Sequence, residues 1–303
     1  MRTDVEELSL HSGTHPPGAS LLEWALWRAT GRSALAVAVA LALIGALGVL
    51  PASAIAAELY GERTARIAAV LFACAPGVVL FSATSADAVF MTLTGIAAAA
   101  LVRAPRSDIW AVAAGVLTAL ALCFTWGALA LGSIGAGAGL VALREHRPSV
   151  VLRRAGLAVA GLVAGWIGLR LATGVDLVAD FGPATNRQLT FASYHRSYAY
   201  WVLGDVVAFL FVLGVVNTSS LIAATVSRWR ERRPGIETAL WVTFGLASVS
   251  GVFKGVTDHN WLFFAPLAIA VAASAQPERA VRGSVAAGLG QAALTESLFY
   301  TAW

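Results

Sequence analysis

Lysine is nearly missing from this 303-residue sequence: Lys254 stands alone against twenty arginines. Charge of either sign is scarce at 13% of residues, whereas 58% are hydrophobic and the mean hydropathy is +0.74. So few charged groups cannot clothe a water-facing surface around one core, which excludes an ordinary soluble domain and points to a polytopic membrane protein. The net charge of +4 does not argue for nucleic acid, because the arginines are spread in small clusters between apolar runs. Cysteine is equally scarce. Cys74 and Cys123 both fall inside apolar runs, so they read as small packing residues rather than a disulfide or metal pair. Neither an HExxH motif nor a cysteine-rich spacing occurs, which argues against a dedicated zinc site, and the metal-ligand expectation is none.

What is present is a succession of apolar runs near the ~20 residues that a bilayer-spanning helix needs. Ten candidate segments stand out, at 33–58, 65–81, 87–103, 109–124, 127–143, 151–172, 202–226, 237–254, 261–276 and 284–301. The run 109–143 is interrupted only around Thr125, Trp126 and Gly127, and reads either as two short helices or as a helix with a re-entrant piece. Ahead of the first run, Leu21 to Thr30 mixes Glu23 and Arg28 with leucine and tryptophan, the pattern of a helix lying along a membrane interface. The expected organisation is an outer-face loop and interfacial helix at 1–32, then a transmembrane helical domain over 33–303 with an outer loop at 173–201. The expected fold is all-α, a transmembrane bundle of about ten helices.

Arginine favours the cytoplasmic side of short loops. If the N-terminus is outside, alternate loops contain Arg63 and Arg66, Arg103 and Arg106, then Arg144, Arg147, Arg153 and Arg154, then Arg228, Arg230, Arg232 and Arg233, and finally Arg279 and Arg282. That is fourteen of the 21 basic residues on one side. The protein is therefore expected in the cytoplasmic membrane with its N-terminus outside. Trp110, Trp201 and Trp261 near the segment ends are expected as interfacial anchors.

Polar groups are costly in hydrocarbon, so their placement marks function. His11, His15, His195 and His259 fall on the expected outer face, and only His146 falls inside. Asp87, at the start of a helix after Ser82, Thr84 and Ser85, reads either as a cap and dipole partner or as a carboxylate facing a polar cavity. Asp205 and Asp258 pose the same choice. The stretch HRSYAYW supplies His195, Arg196, Tyr198, Tyr200 and Trp201, which form either an anchoring belt or an arginine that neutralises a phosphate between aromatic walls. KGVTDHNW adds Lys254, Asp258 and His259 in one short outer loop.

The motif HPPG before an interfacial helix, followed by LYGERTARIAAVLFACAPGVVLFSATSADAVF, resembles the early portion of bacterial GT-C-fold glycosyltransferases, relatives of protein mannosyltransferases and aminoarabinose transferases. The likeness extends through HRSYAYW and NWLFFAP to the closing QAALTESLFYTAW, which resembles the C-terminal ends of actinobacterial members. The resemblance implies transfer of a sugar from a polyprenyl-phosphate-linked donor to a cell-envelope glycan, lipid or protein acceptor. The active face would lie outside the cytoplasm, with membrane lipid and no nucleic acid as partners. In such enzymes a carboxylate of the first outer loop acts as base toward the acceptor hydroxyl or holds a helping metal, so a divalent cation stays open as cofactor. Cations stabilise the departing lipid phosphate.

Carried onto this sequence, the resemblance nominates Asp4, Asp87 and Asp258 as catalytic residues, and His15, Arg196, Tyr200, Lys254 and His259 as substrate-binding ones. Two departures matter. The family's HPPG loop follows a first transmembrane helix, whereas here Asp4, Glu6 and Glu7 are the only acids before His15, and a leading helix is expected to be missing unless the first apolar run inserts with its N-terminus out. Where relatives place an acidic-basic pair ahead of the WLFF segment, this chain has Asp258 and His259, so the basic role falls on a titratable histidine or on Lys254. A lipid or small-molecule transporter, or a non-catalytic relative of the same fold, are the competing readings; the nearly ion-free helix interiors weigh against transport.

Overall fold

The structure, a computed structural model, describes residues 10–82, 85–192, 195–255 and 257–299. Asp4, Glu6, Glu7 and Thr84 lie outside the described residues. In chain order the helices are α1 (Leu10–Thr14), α2 (Gly18–Ala29), α3 (Ala34–Ala46), α4 (Val49–Tyr60), α5 (Glu62–Ala73), α6 (Pro76–Phe81), α7 (Asp87–Arg103), α8 (Asp108–Leu122) and α9 (Leu131–Ala142). They continue as α10 (Pro148–Thr173), α11 (Leu177–Arg187), α12 (Tyr198–Leu213), α13 (Val215–Arg230), α14 (Ile236–Val249), α15 (Thr257–Asn260), α16 (Ala265–Ala275) and α17 (Val281–Phe299). Among the described residues there is no strand, and the fold is all-α.

Among the described residues three helices are long and apolar enough to cross a membrane: Ala34–Tyr60, Asp87–Arg106 and Pro148–Thr173. Each of the ten expected segments overlaps helix, although helix ends at Val249 within 237–254, residues 300 and 301 lie outside the described residues, and several segments are not single spans. The 202–226 segment is broken at Gly214, where α12 and α13 diverge by 112°. Gly214 has φ +101°, a conformation that only glycine adopts without strain. The 65–81 segment is likewise two helices, an amphipathic α5 that starts with Glu62 and Arg63, and a short α6. The 109–143 run takes the first of its two readings, as α8 and a second apolar helix over Trp126–Ala142 whose first turn is tighter.

Proline marks these restarts. Pro76 is the first residue of α6, Pro266 sits in the first turn of α16, and Pro51 follows closely on the break at Leu47–Gly48. At these positions the missing N–H costs nothing, so each proline initiates a helix rather than kinking one. The stretch expected as a polar loop at 173–201 contains α11, initiated by the Asp176 side chain accepting the Ala179 N–H at 3.3 Å.

The core gathers where α4, α5, α7, α13 and α16 meet, and α16 is buried along nearly all its length. Trp261 is the largest fully buried side chain, in contact with Phe209, Phe244 and Phe264, and so is not the interfacial anchor its position suggested. Its ring belongs to an aromatic cluster of edge-on and stacked neighbours. On α2, Leu21, Trp24 and Trp27 are exposed together, leaving a large apolar face uncovered by this chain.

One end of the bundle is tied by arginine. Arg103 and Arg106 both reach Glu58, Arg153 and Arg154 reach Asp108, Arg63 reaches Glu278, and Arg144 donates to the carbonyl of Pro234. These pairs link the same five loops that the positive-charge bias grouped together. The opposite end carries the polar residues described next.

Candidate functional site

The start of α7 is the first component. Ala86 is the residue capping this helix, so Asp87 is not its N-cap; it occupies the first turn, where a negative charge is favoured by the helix dipole. Its Oδ2 accepts the Ser85 hydroxyl at 2.5 Å, and the Ser85 Oγ in turn accepts the Asp87 N–H at 3.1 Å. The carboxylate is 3% exposed, in keeping with a group facing a recess rather than open solvent.

The second component is the chain between α14 and α16. Thr94 of α7 donates to the carbonyl of Phe263 at 3.1 Å, which draws this segment against α7. His259 Nδ1 lies 3.0 Å from Asp258 Oδ1, and its ring packs 5.8 Å from that of Phe81 at the end of α6. Burial of the ring opposes its charge, but the hydrogen bond to Asp258 and the negative charges of Asp87 and Asp258 outweigh it, and the His259 pKa is raised. Arg196 pushes the other way. Asp87, Asp258 and Arg196 are thus each within electrostatic reach of His259, although the four come from three distant parts of the sequence.

Arg196 Nη1 donates to the main-chain carbonyl of Lys254 at 2.5 Å, and the charges of both residues reach Asp205. His15 stacks on Phe90, one turn along α7 from Asp87, with ring centroids 5.7 Å apart. His15 also lines a cavity of about 410 Å³ with Asn260, Trp126, Phe181 and Phe253. Leu129 and Leu246, both exposed on the outside of the bundle, also line it, so the apolar cavity reaches the bundle's outer surface. Tyr200 stands apart: it is exposed, edge-on to Trp201, and joins none of these contacts. Asp4 lies outside the described residues.

Among the described residues no three histidine, cysteine, aspartate or glutamate side chains converge as metal ligands. Asp258 is engaged by His259 and Asp87 by Ser85, so the described residues do not fit a resident divalent cation.

Residues 14–164 match the family model of dolichyl-phosphate-mannose-protein mannosyltransferases. The fold is similar to that of ArnT from Cupriavidus metallidurans bound to undecaprenyl phosphate, with a TM-score of 0.62 and 15% identity over 95% of this chain and 56% of that one. The apo state of the same protein matches with a TM-score of 0.61 and 16% identity, over 86% of this chain and 49% of that one. The chain is a GT-C-fold polytopic membrane protein. This GT-C chain spans about half the length of the ArnT structures it matches. A comparison with curated protein sequences finds no match.

One residue of the GT-C chain was weighed in the sequence but not nominated for the site. Asp205 of α12 is fully buried and lies directly beneath the Lys254 turn. Its signal was an isolated acid in the otherwise apolar run 202–226, the one position there where a charge demands an explanation.

Proposed function

We propose that the chain transfers a sugar from a polyprenyl-phosphate-linked donor to a hydroxyl acceptor, at the end of the bundle opposite the arginine ties and outside the cytoplasm. What supports this reading is that Asp87, Asp258 and Arg196 all act on His259, with Arg196 held on the main chain of Lys254, and that His259 and Lys254 are next in sequence to Asn260 and Phe253 of an apolar cavity wall. The cavity suits an isoprenoid chain entering from the membrane, since it is walled by aliphatic and aromatic side chains and no charged residue lines it among the described residues.

In the reaction, the acceptor oxygen forms a bond to the anomeric carbon as the bond from that carbon to the phosphate oxygen breaks. The acceptor's proton passes to a carboxylate, for which Asp87 is the first candidate because it is buried yet, among the described residues, held by a single hydroxyl donor. The electron pair of the broken bond leaves with polyprenyl phosphate, whose charge Arg196 and Lys254 offset. His259, biased toward its protonated form by Asp258, adds to that positive field. His15 on Phe90 and Asn260 supply hydrogen-bonding groups in the cavity wall.

The test is transfer of labelled sugar from a panel of polyprenyl-phosphate donors by the chain in membrane vesicles. Transfer that requires the phosphate-linked donor supports the reading. Silence across a panel that includes hexosyl and pentosyl donors, with cell-envelope lipid and glycan acceptors present, counts against it.

A further inference from the structure

Asp205 is a wholly buried carboxylate that the reaction described above does not use. Its Oδ1 accepts the N–H of Gly255 at 2.8 Å, and its main-chain carbonyl accepts the Thr257 hydroxyl at 2.8 Å. Its Oδ2 is buried and takes no hydrogen bond from the described residues. A buried carboxylate oxygen left without a donor is costly unless positive charge is near, and the charges that reach Asp205 are those of Arg196 and Lys254. The turn above it fits closely. Gly255 has φ +74°, and a Cβ there would lie 2.8 Å from the Trp201 ring and 3.0 Å from Arg196 Cδ. One residue of α12 therefore grips both sides of the turn that carries Lys254 and receives Arg196, immediately before Asp258 and His259.

We propose that Asp205 is the positioning residue of the donor-phosphate site: it holds Gly255 and Thr257 against α12, and its charge tempers Arg196 and Lys254 so that polyprenyl phosphate can leave after transfer. The inference rests on the reading of those two cations as the phosphate's partners. Two unopposed cations would hold a phosphate monoester more tightly than turnover requires. An ionised carboxylate beneath them would cancel part of their field without competing for the ligand's place, because Asp205 is wholly buried.

The two functions of Asp205 separate by substitution. Asp205→Asn keeps an oxygen for the Gly255 N–H and removes the charge; Asp205→Ala removes both. Binding of undecaprenyl monophosphate to the full chain in nanodiscs is measured for the wild type and both variants, with undecaprenol as the uncharged counterpart. Asp205→Asn is expected to bind the phosphate about threefold or more tightly, and Asp205→Ala about threefold or more weakly, while undecaprenol binds all three alike. A merely structural residue would not produce the tightening by asparagine. Equal phosphate affinity in Asp205→Asn and the wild type, or weakening in both variants, overturns the inference and leaves the functional reading standing. A wild type that does not prefer the phosphate to undecaprenol overturns the reading of Arg196 and Lys254, and the inference with it.

Discussion

Gln291 bridges the chain break at Gly214 with two hydrogen bonds. Its Nε2 donates to the carbonyl of Phe211 at 2.7 Å and its Oε1 accepts the N–H of Val215 at 2.9 Å, so one side chain of α17 bridges the end of α12 and the start of α13. Backbone groups freed inside an apolar setting must find partners, and a carboxamide is the side chain able to serve a donor and an acceptor together. Replacing Gln291 with leucine should therefore destabilise the protein by about 1–3 kcal/mol. Thermal unfolding in detergent checks this, and an unchanged midpoint would show that the two bonds are replaceable by solvent or lipid headgroups.

Asp87→Asn should lower sugar transfer at least a hundredfold, the order expected for removing a general base. Insertion and folding should persist, because an amide still accepts the Ser85 hydroxyl. Arg196→Ala and Asp258→Asn should also abolish transfer while leaving insertion intact. Turnover that survives in all three would remove this end of the bundle from the chemistry.

The His259 imidazole should titrate above the ordinary histidine value of 6.5. Because the folded pKa is raised, its contribution to stability is fully present below the unfolded value and is lost as pH rises through the folded one. In Asp258→Asn the midpoint should move down, since burial then acts against fewer compensating charges. Nitrogen chemical shifts of labelled histidine report both midpoints; a wild-type midpoint at or below 6.5 would contradict the geometry.

Gly115 of α8 lies against α10 so closely that a Cβ would sit 2.0 Å from the carbonyl oxygen of Ala158. Gly161 makes the reciprocal approach to Val112. Gly115→Val should force the helices apart and cost on the order of 1–3 kcal/mol or more. The readout is again the unfolding midpoint, with Gly132→Ala on the open face of α9 as a control that should change little, because nothing lies near its added carbon.

Much of the helical frame was legible before any coordinate. The 87–103 segment is α7 to the residue, and 151–172 falls within α10, because long apolar runs bounded by Asp, Arg and Pro admit few other structures. The break at Gly214 was not legible. VLGVVNTSS stays apolar enough to read as one span, and only packing against Pro76, where a Cβ on Gly214 would lie 2.8 Å from the ring, together with Gln291, fixes the turn there. Trp261 misled for a related reason, since a tryptophan at a segment end serves equally as an interfacial anchor or as a core residue, and its sequence position does not say which aromatic rings will meet it.

By itself the sequence determined the kind of solvent this chain needs, the helical character of its apolar runs, and the end of each run on which arginine collects, because these follow from local composition and charge. It also named the acids, cations and histidines worth considering. Only the tertiary structure decided which of them meet. Asp87, Arg196 and His259 are separated by many tens of residues, and their approach depends on Thr94 drawing the Phe263 segment to α7 and on Asp205 holding the Lys254 turn to α12. It also left Tyr200 outside the constellation, because one step along α12 turns a side chain by about 100° and can carry it to another face. Adjacency of that kind is a property of long-range packing, and no short window of residues contains it.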